Sequence, residues 1–348
     1  MKNLISYYSY MFSFLSFISG LYEVGIVVWG MKTFGITGAL LGALCYQLGN
    51  LVPNPIKLSK RICWILLSAS VVFGLAGVFL PFFLYPSVTL FTLVLQNERA
   101  ALKSKIKSTD SKVWKRLFRI IGFACGCVCG IGIFFICQIP VLICLIRKKD
   151  VAKTTISIPH FNKLDLTLIL HEIHYFVYCY CILLIAYTFT VLGKTVGCYA
   201  AFAFALSWIP YALVPNIYKS PKILKKLGYK KTFIIGHSVL TVILVIMFFI
   251  FRMKITFGNL SLVSLAIWLL TGFGGTTEFC IEEIDKNNGT YVKNNHNSAE
   301  NIGHILGVSL SFIIYYVTSN LYISILVAGI FAFLALLSMT LLVKEESK

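Results

Sequence analysis

The sequence predicts an all-α, polytopic membrane protein. Apolar runs long enough to span a bilayer recur along the whole chain, charged residues are scarce, and positive charge gathers in the loops between apolar runs. Hydrophobic residues make up 58% of the 348 and charged residues 13%, with a mean hydropathy of +0.84. A soluble domain carries about 25% charged residues. A helix crossing about 30 Å of hydrocarbon needs roughly 20 apolar residues. Runs of that kind lie at 7–31, 35–56, 62–80, 82–97, 164–192, 195–217, 232–252, 258–280, 299–318 and 321–343. A further run, 116–146, is long for one span and short for two.

The net charge of +18 fits nucleic acid less well than it fits the positive-inside pattern. Lys57, Lys60 and Arg61 mark one basic loop, and Arg99 to Arg116 the next. Arg147 to Lys153 mark a third, and Lys219 to Lys231 a fourth. The loops between these hold almost no cations. If every basic loop is cytoplasmic, 116–146 goes out and returns, as two short helices meeting near Gly130–Gly132. That makes about twelve spans, or about eleven if the run crosses once, in a cell (plasma or inner) membrane. With twelve, both termini are cytoplasmic. The polar stretch near the midpoint divides the chain into an N-terminal six-helix bundle at 1–150, a cytoplasmic linker at 151–163 and a C-terminal six-helix bundle at 164–348.

All eleven cysteines lie in or beside apolar runs, so they read as packing residues and not as a disulfide framework. Cys125, Cys127 and Cys129 do not have zinc-finger spacing. The first apolar run is long enough to span and lacks a small-residue cleavage site, so no cleavable signal peptide is expected. Glycines spaced four apart at Gly122, Gly126 and Gly130 suit close helix packing. No phosphate loop, nucleophilic triad or metal-ligand spacing appears, so we expect neither an enzyme nor a cofactor nor a metal.

The stretch 47–61 closes one apolar run and opens another. It holds Gln47, Asn50 and Asn54, two prolines and three cations, and no carboxylate. Side-chain amides at the inner end of a buried helix bind a polar solute but offer no charge to sodium or a proton. A similar basic, turn-forming loop, from Pro215 to Lys231, follows 195–217 in the second half, as in a duplicated transporter.

The layout resembles the major facilitator superfamily, and Leu224-Lys-Lys-Leu-Gly-Tyr-Lys-Lys231 looks like its loop signature. Glu278-Phe-Cys-Ile-Glu-Glu-Ile-Asp-Lys-Asn-Asn-Gly-Thr290 and Ala299 to Gly307 are similar to the glycoside–pentoside–hexuronide symporters. The resemblance implies two bundles of six helices, pseudo-symmetric, rocking around a central site. It also implies that the cation-binding pattern of that family falls on Gln47, Asn50 and Asn54, where its two aspartates are amides here. The lysine common in its eleventh helix falls on His304.

Ionisable groups inside spans cost several kcal/mol and need a reason. Glu23 takes a proton or a cationic substrate, or else pairs with a neighbouring helix. His171 and His174 share a helix face while Glu172 points about 100° away. The spacing excludes a zinc-protease helix and leaves a proton relay, a substrate site or a structural pair. His237 and His304 stand alone in sequence. Glu278, Glu282, Glu283 and Asp285 form a cytoplasmic gate or a solvated helix end, with Lys225–Lys231 or Lys57–Arg61 as partners. The expected function is secondary transport of a small polar organic solute by a monomer in a lipid bilayer, without sodium coupling. A non-transporting receptor and an exporter of a toxic small molecule are the alternatives.

Overall fold

The computed structural model describes residues 2–106, 111–128, 132–147, 153–188, 221–252, 270–272, 274 and 276–343. The chain divides into two compact units, Met1–Ile158 and Pro159–Lys348. Among the described residues, five helical stretches are long and apolar enough to cross a membrane: Tyr7–Leu51, Lys60–Phe79, Lys226–Arg252, Lys293–Thr318 and Leu321–Leu342.

The first unit opens with α1, Lys2–Leu48, which breaks at Gly35. The glycine has φ of 70°, a left-handed conformation that a side chain disfavours. Two helices therefore meet at Gly35, as the separate runs 7–31 and 35–56 predict, and the second packs back on the first, with Gly42 against Ile26 and Tyr46 against Ser19. Helices α2 (Lys60–Phe79), α3 (Leu84–Lys103), α4 (Ser111–Val128), α5 (Gly132–Ile136) and α6 (Gln138–Arg147) follow. Most of the expected reversal at Gly130–Gly132 lies outside the described residues. Two short strands, β1 (Ile56–Lys57) and β2 (Thr155–Ile156), pair antiparallel.

Two boundaries differ from the sequence reading. The span predicted at 35–56 stops at Leu48, passes through a 3₁₀ turn at Gly49–Leu51 and leaves the helix. Pro53 and Pro55 lack the N–H that a helix needs and disfavour helical backbone in the residue before them. Asn50 thus sits in the 3₁₀ turn and Asn54 in the following turn, not on a helix end. Secondly, α3 runs six residues beyond the predicted 97 to Lys103, so Arg99 is a buried helical residue and not a loop cation. No glycine or proline interrupts the helix there, and the guanidinium finds acceptors inside the bundle.

The second unit holds α7 (Lys163–Thr188), α8 (Pro221–Arg252), α9 (Phe279–Asn287), α10 (Lys293–Thr318) and α11 (Leu321–Leu342). The basic signature lies within α8, which breaks at Gly228 with φ of 71°. The predicted span 195–217 and most of 258–280 lie outside the described residues.

Asn162 starts α7. Its Oδ1 accepts from the backbone N–H groups of Leu164 and Asp165, each at 2.8 Å. Asp165 Oδ2 accepts in return from the Asn162 N–H at 3.0 Å. This reciprocal cap satisfies donors that a helix start otherwise leaves open. Asn162 also donates from Nδ2 to Asp285 Oδ1 at 3.0 Å, tying the start of α7 to α9. Leu164, Leu168, Phe233, Cys280, Ile281, Ile284, Ala299, Ala335 and Met339 form the apolar core behind this junction.

Candidate functional site

In the second unit, small residues bring the polar groups together. A methyl group added to Gly303 of α10 would lie 2.5 Å from Glu172 Cβ, and one on Gly307 would lie 2.7 Å from Phe176 Cβ. The glycines let α10 approach α7 almost backbone to backbone. His304, next to Gly303, then reaches Glu172, with Nε2 2.9 Å from Oε2. Gly236 plays the same part on α8. Its added methyl would meet Thr277 Cγ2 at 2.5 Å, so Thr277 packs against the turn that carries His237.

Three imidazoles converge beside this pair. His171 and His174 lie one turn apart on α7, and His237 projects from α8. Their ring centroids are 4.7 Å apart for His171 and His174, 5.1 Å for His171 and His237, and 5.9 Å for His174 and His237. His171 Nδ1 is 2.9 Å from His237 Nε2. On its other side, His171 Nε2 stands 3.9 Å from Glu172 Oε1. All three histidines and Glu172 are buried. Glu278 approaches the same carboxylate and the His171 ring. A polar thread therefore runs from His304 through Glu172 and His171 to His237 and Thr277, inside an apolar bundle. Each member can accept or release a proton or orient a hydrogen bond.

His171, Glu172 and His304, which the sequence singled out, come together. His237 was expected to stand alone, and it does not. The signal in sequence was its neighbour Gly236, since a small residue marks a place where another element packs closely.

The gate residues divide. Glu282 and Glu283 pair with Lys286 of their own helix, each at 2.9 Å. Burial alone would lift the Glu282 carboxyl. The hydrogen bond from Lys286 and its charge prevail and hold it below the usual carboxylate range. The hydrogen bonds to Glu282 and Glu283 raise the Lys286 ammonium in turn. Asp285 is buried and faces inward. It accepts from Asn162 and from the Thr290 hydroxyl, and it lies with Asp165 and His296 in a second close group. Asp285 therefore serves to join α7, α9 and α10.

In the first unit, Glu23 of α1 is buried and binds Arg119 of α4, with Oε2 2.6 Å from Nη2. Again glycines allow the approach. Side chains at Gly20 or Gly122 would strike the backbone carbonyls of Arg119 and Phe17 respectively. Arg119 went unnoticed in the sequence because it opens the long run 116–146 among other cations.

Arg99 donates from Nη1 to Ser19 Oγ at 2.9 Å and to Gln96 Oε1 at 2.7 Å. Ser19 Oγ also meets the Tyr46 hydroxyl at 2.7 Å. Of the three amides, Gln47 is buried and accepts from Asn50 Nδ2, while Asn54 is half-buried in the turn.

No family model matches the chain, and no curated protein matches it. Solved structures do. The crystal structure of the nucleoside transporter NupG aligns with a TM-score of 0.62 at 12% identity, covering 97% of this chain and 98% of that one. A bacterial homologue of the iron transporter ferroportin, in its outward-facing state, aligns with a TM-score of 0.57 at 14% identity over 95% and 98%. The same type of protein soaked with iron gives 0.54 at 13% identity over 96% and 98%. The chain has the major-facilitator fold. At these identities the likeness is one of architecture, carried by helix order and length and not by shared side chains. Within the major-facilitator fold, the two polar clusters described above belong to different units. Each is built by glycine-mediated helix contact.

Proposed function

We propose that the protein is a secondary carrier of a small polar organic solute, working by alternating access and without sodium coupling. One observation carries this reading. A chain matching transporter structures over nearly its whole length buries hydrogen-bonded ionisable groups inside its apolar helices. Such groups are costly in a bilayer and mark pathways for solutes or protons. The nucleoside carried by NupG exemplifies the solute class. The motif at 278–307 supports a closer likeness to the glycoside–pentoside–hexuronide symporters.

The amides at Gln47, Asn50 and Asn54 support the absence of sodium coupling, since they supply no negative charge to balance a buried sodium ion. His171, Glu172 and His304 supply titratable groups that suit proton coupling, and Glu23 is held by Arg119. The carrier acts as a monomer in the cell membrane, with both termini cytoplasmic.

The test is uptake by proteoliposomes of nucleosides, glycosides and hexuronides, with a sodium gradient, a proton gradient or neither. We expect uptake above empty vesicles for one class, indifferent to sodium and reduced in Glu172→Gln. Stimulation by sodium would overturn the coupling assignment. Failure of every class to enter vesicles or to raise the melting temperature of the purified protein would overturn the carrier reading.

A further inference from the structure

We infer that the second unit contains a binding site for a divalent transition-metal ion, formed by His171, His174 and His237. This goes beyond the transport reading and does not depend on it. One nitrogen from each ring can be chosen so that the three lie within 4.8 Å of one another, and all three residues are buried. Imidazole nitrogen is a borderline-soft donor. It suits zinc, cobalt, nickel, copper or ferrous iron, and suits sodium, magnesium or calcium poorly.

Proton placement shows which nitrogens are available. The Thr277 hydroxyl donates to the Gly274 carbonyl at 2.6 Å, so its oxygen can only accept from His237. His237 Nδ1 lies 3.2 Å from that oxygen and 3.2 Å from the Phe233 carbonyl oxygen. Both neighbours are acceptors, so Nδ1 carries the hydrogen and the neutral ring keeps a lone pair on Nε2. That lone pair points at His171 Nδ1, 2.9 Å away. Without metal, a hydrogen on His171 Nδ1 fills the gap. An ion held by both nitrogens at about 2.0–2.1 Å stands off the line between them, and the hydrogen of His171 then resides on Nε2, which faces Glu172 Oε1 at 3.9 Å. That separation exceeds a hydrogen bond, so Glu172 stands beside the ring without fixing it.

His174 supplies the independent observation. Both of its ring nitrogens are buried with no hydrogen-bond partner. Buried polar atoms are almost always satisfied, and an orphan pair on one imidazole is an expensive arrangement. A metal ion shared with His171 and His237 satisfies one of the two outright. Three protein nitrogens leave a fourth position for water or an exogenous ligand, as in open sites. The carboxyl groups of Glu172 and Glu278 lie next to His171.

Tag-free protein in detergent, stripped with chelator and titrated with Co²⁺, tests the proposal. We expect about one ion per chain by elemental analysis. The visible ligand-field bands should be those of a four-coordinate ion with nitrogen donors, bleached by added Zn²⁺. His174→Ala and His237→Ala should abolish the bands, and Thr277→Val should weaken binding by about 10- to 100-fold, the usual effect of losing an outer-shell partner. His160→Ala, at an exposed position, should leave binding intact. Size-exclusion profiles of His174→Gln and His174→Ala establish that loss of metal is not loss of fold. Absence of stoichiometric Co²⁺ in folded wild-type protein would overturn the proposal. So would bands that persist unchanged in folded His174 and His237 variants. Neither result bears on solute uptake, so the two readings can fail separately.

Discussion

Removing Arg119 tests whether the buried ion pair of the first unit holds α4 against α1. The Glu23 and Arg119 charges are 2.6 Å apart, with side-chain exposures of 5% and 24%. At an effective dielectric of about 20, their attraction is roughly 6 kcal/mol. Dehydrating both groups offsets much of it, and the exposed edge of Arg119 reduces it further. Arg119→Met leaves the carboxylate buried without that guanidinium, and breaking such a pair costs about 3–5 kcal/mol. We expect the lower end, about 3 kcal/mol. Glu23→Gln/Arg119→Met removes both charges and should recover most of the loss. The assay is thermal unfolding of the four proteins of this cycle in one detergent. A single variant that melts with wild type would refute the argument. So would a double variant as unstable as the two single losses added together.

Three further outcomes follow from the geometry. Gly303→Val drives a side chain toward Glu172 and should cost about 1–3 kcal/mol by overpacking. Gly329→Ala, whose added methyl has its nearest neighbour at 3.5 Å, should be tolerated, and thermal melts distinguish the two. Asp285→Ala leaves the Asn162 amide and Thr290 hydroxyl without this acceptor and should cost about 1–3 kcal/mol, read as a lower melting temperature. Glu282 is held below the usual carboxylate range, so its contribution to stability is complete above the ordinary glutamate pKa. It is lost as pH falls through the depressed value in the folded protein. Glu282→Gln should therefore show a shallower loss of melting temperature on acidification than wild type.

Much of the architecture was legible because the bilayer imposes length and charge rules that composition satisfies or fails. Regularly spaced apolar runs and basic loops were enough to read helix order. Helix ends were less legible. Arg99 reads as a loop cation by composition, yet Ser19 and Gln96 supply acceptors from within the bundle and make its burial possible. Hydropathy carries the apolar run on through Pro53 and Pro55, whereas the helix ends at Leu48 and the chain turns through Asn50 and Asn54.

By itself, the sequence determined that this is a multi-spanning helical protein with few acids and with histidines and glutamates inside its apolar runs. Only the tertiary structure decided which of those groups meet. His171 and His237 are 66 positions apart, Glu172 and His304 are 132 apart, and Glu23 and Arg119 are 96 apart. Such pairings depend on which helix faces pack, and that is set by where glycines permit close approach. Hydropathy is a property of single residues along the chain. A site is a property of surfaces brought together.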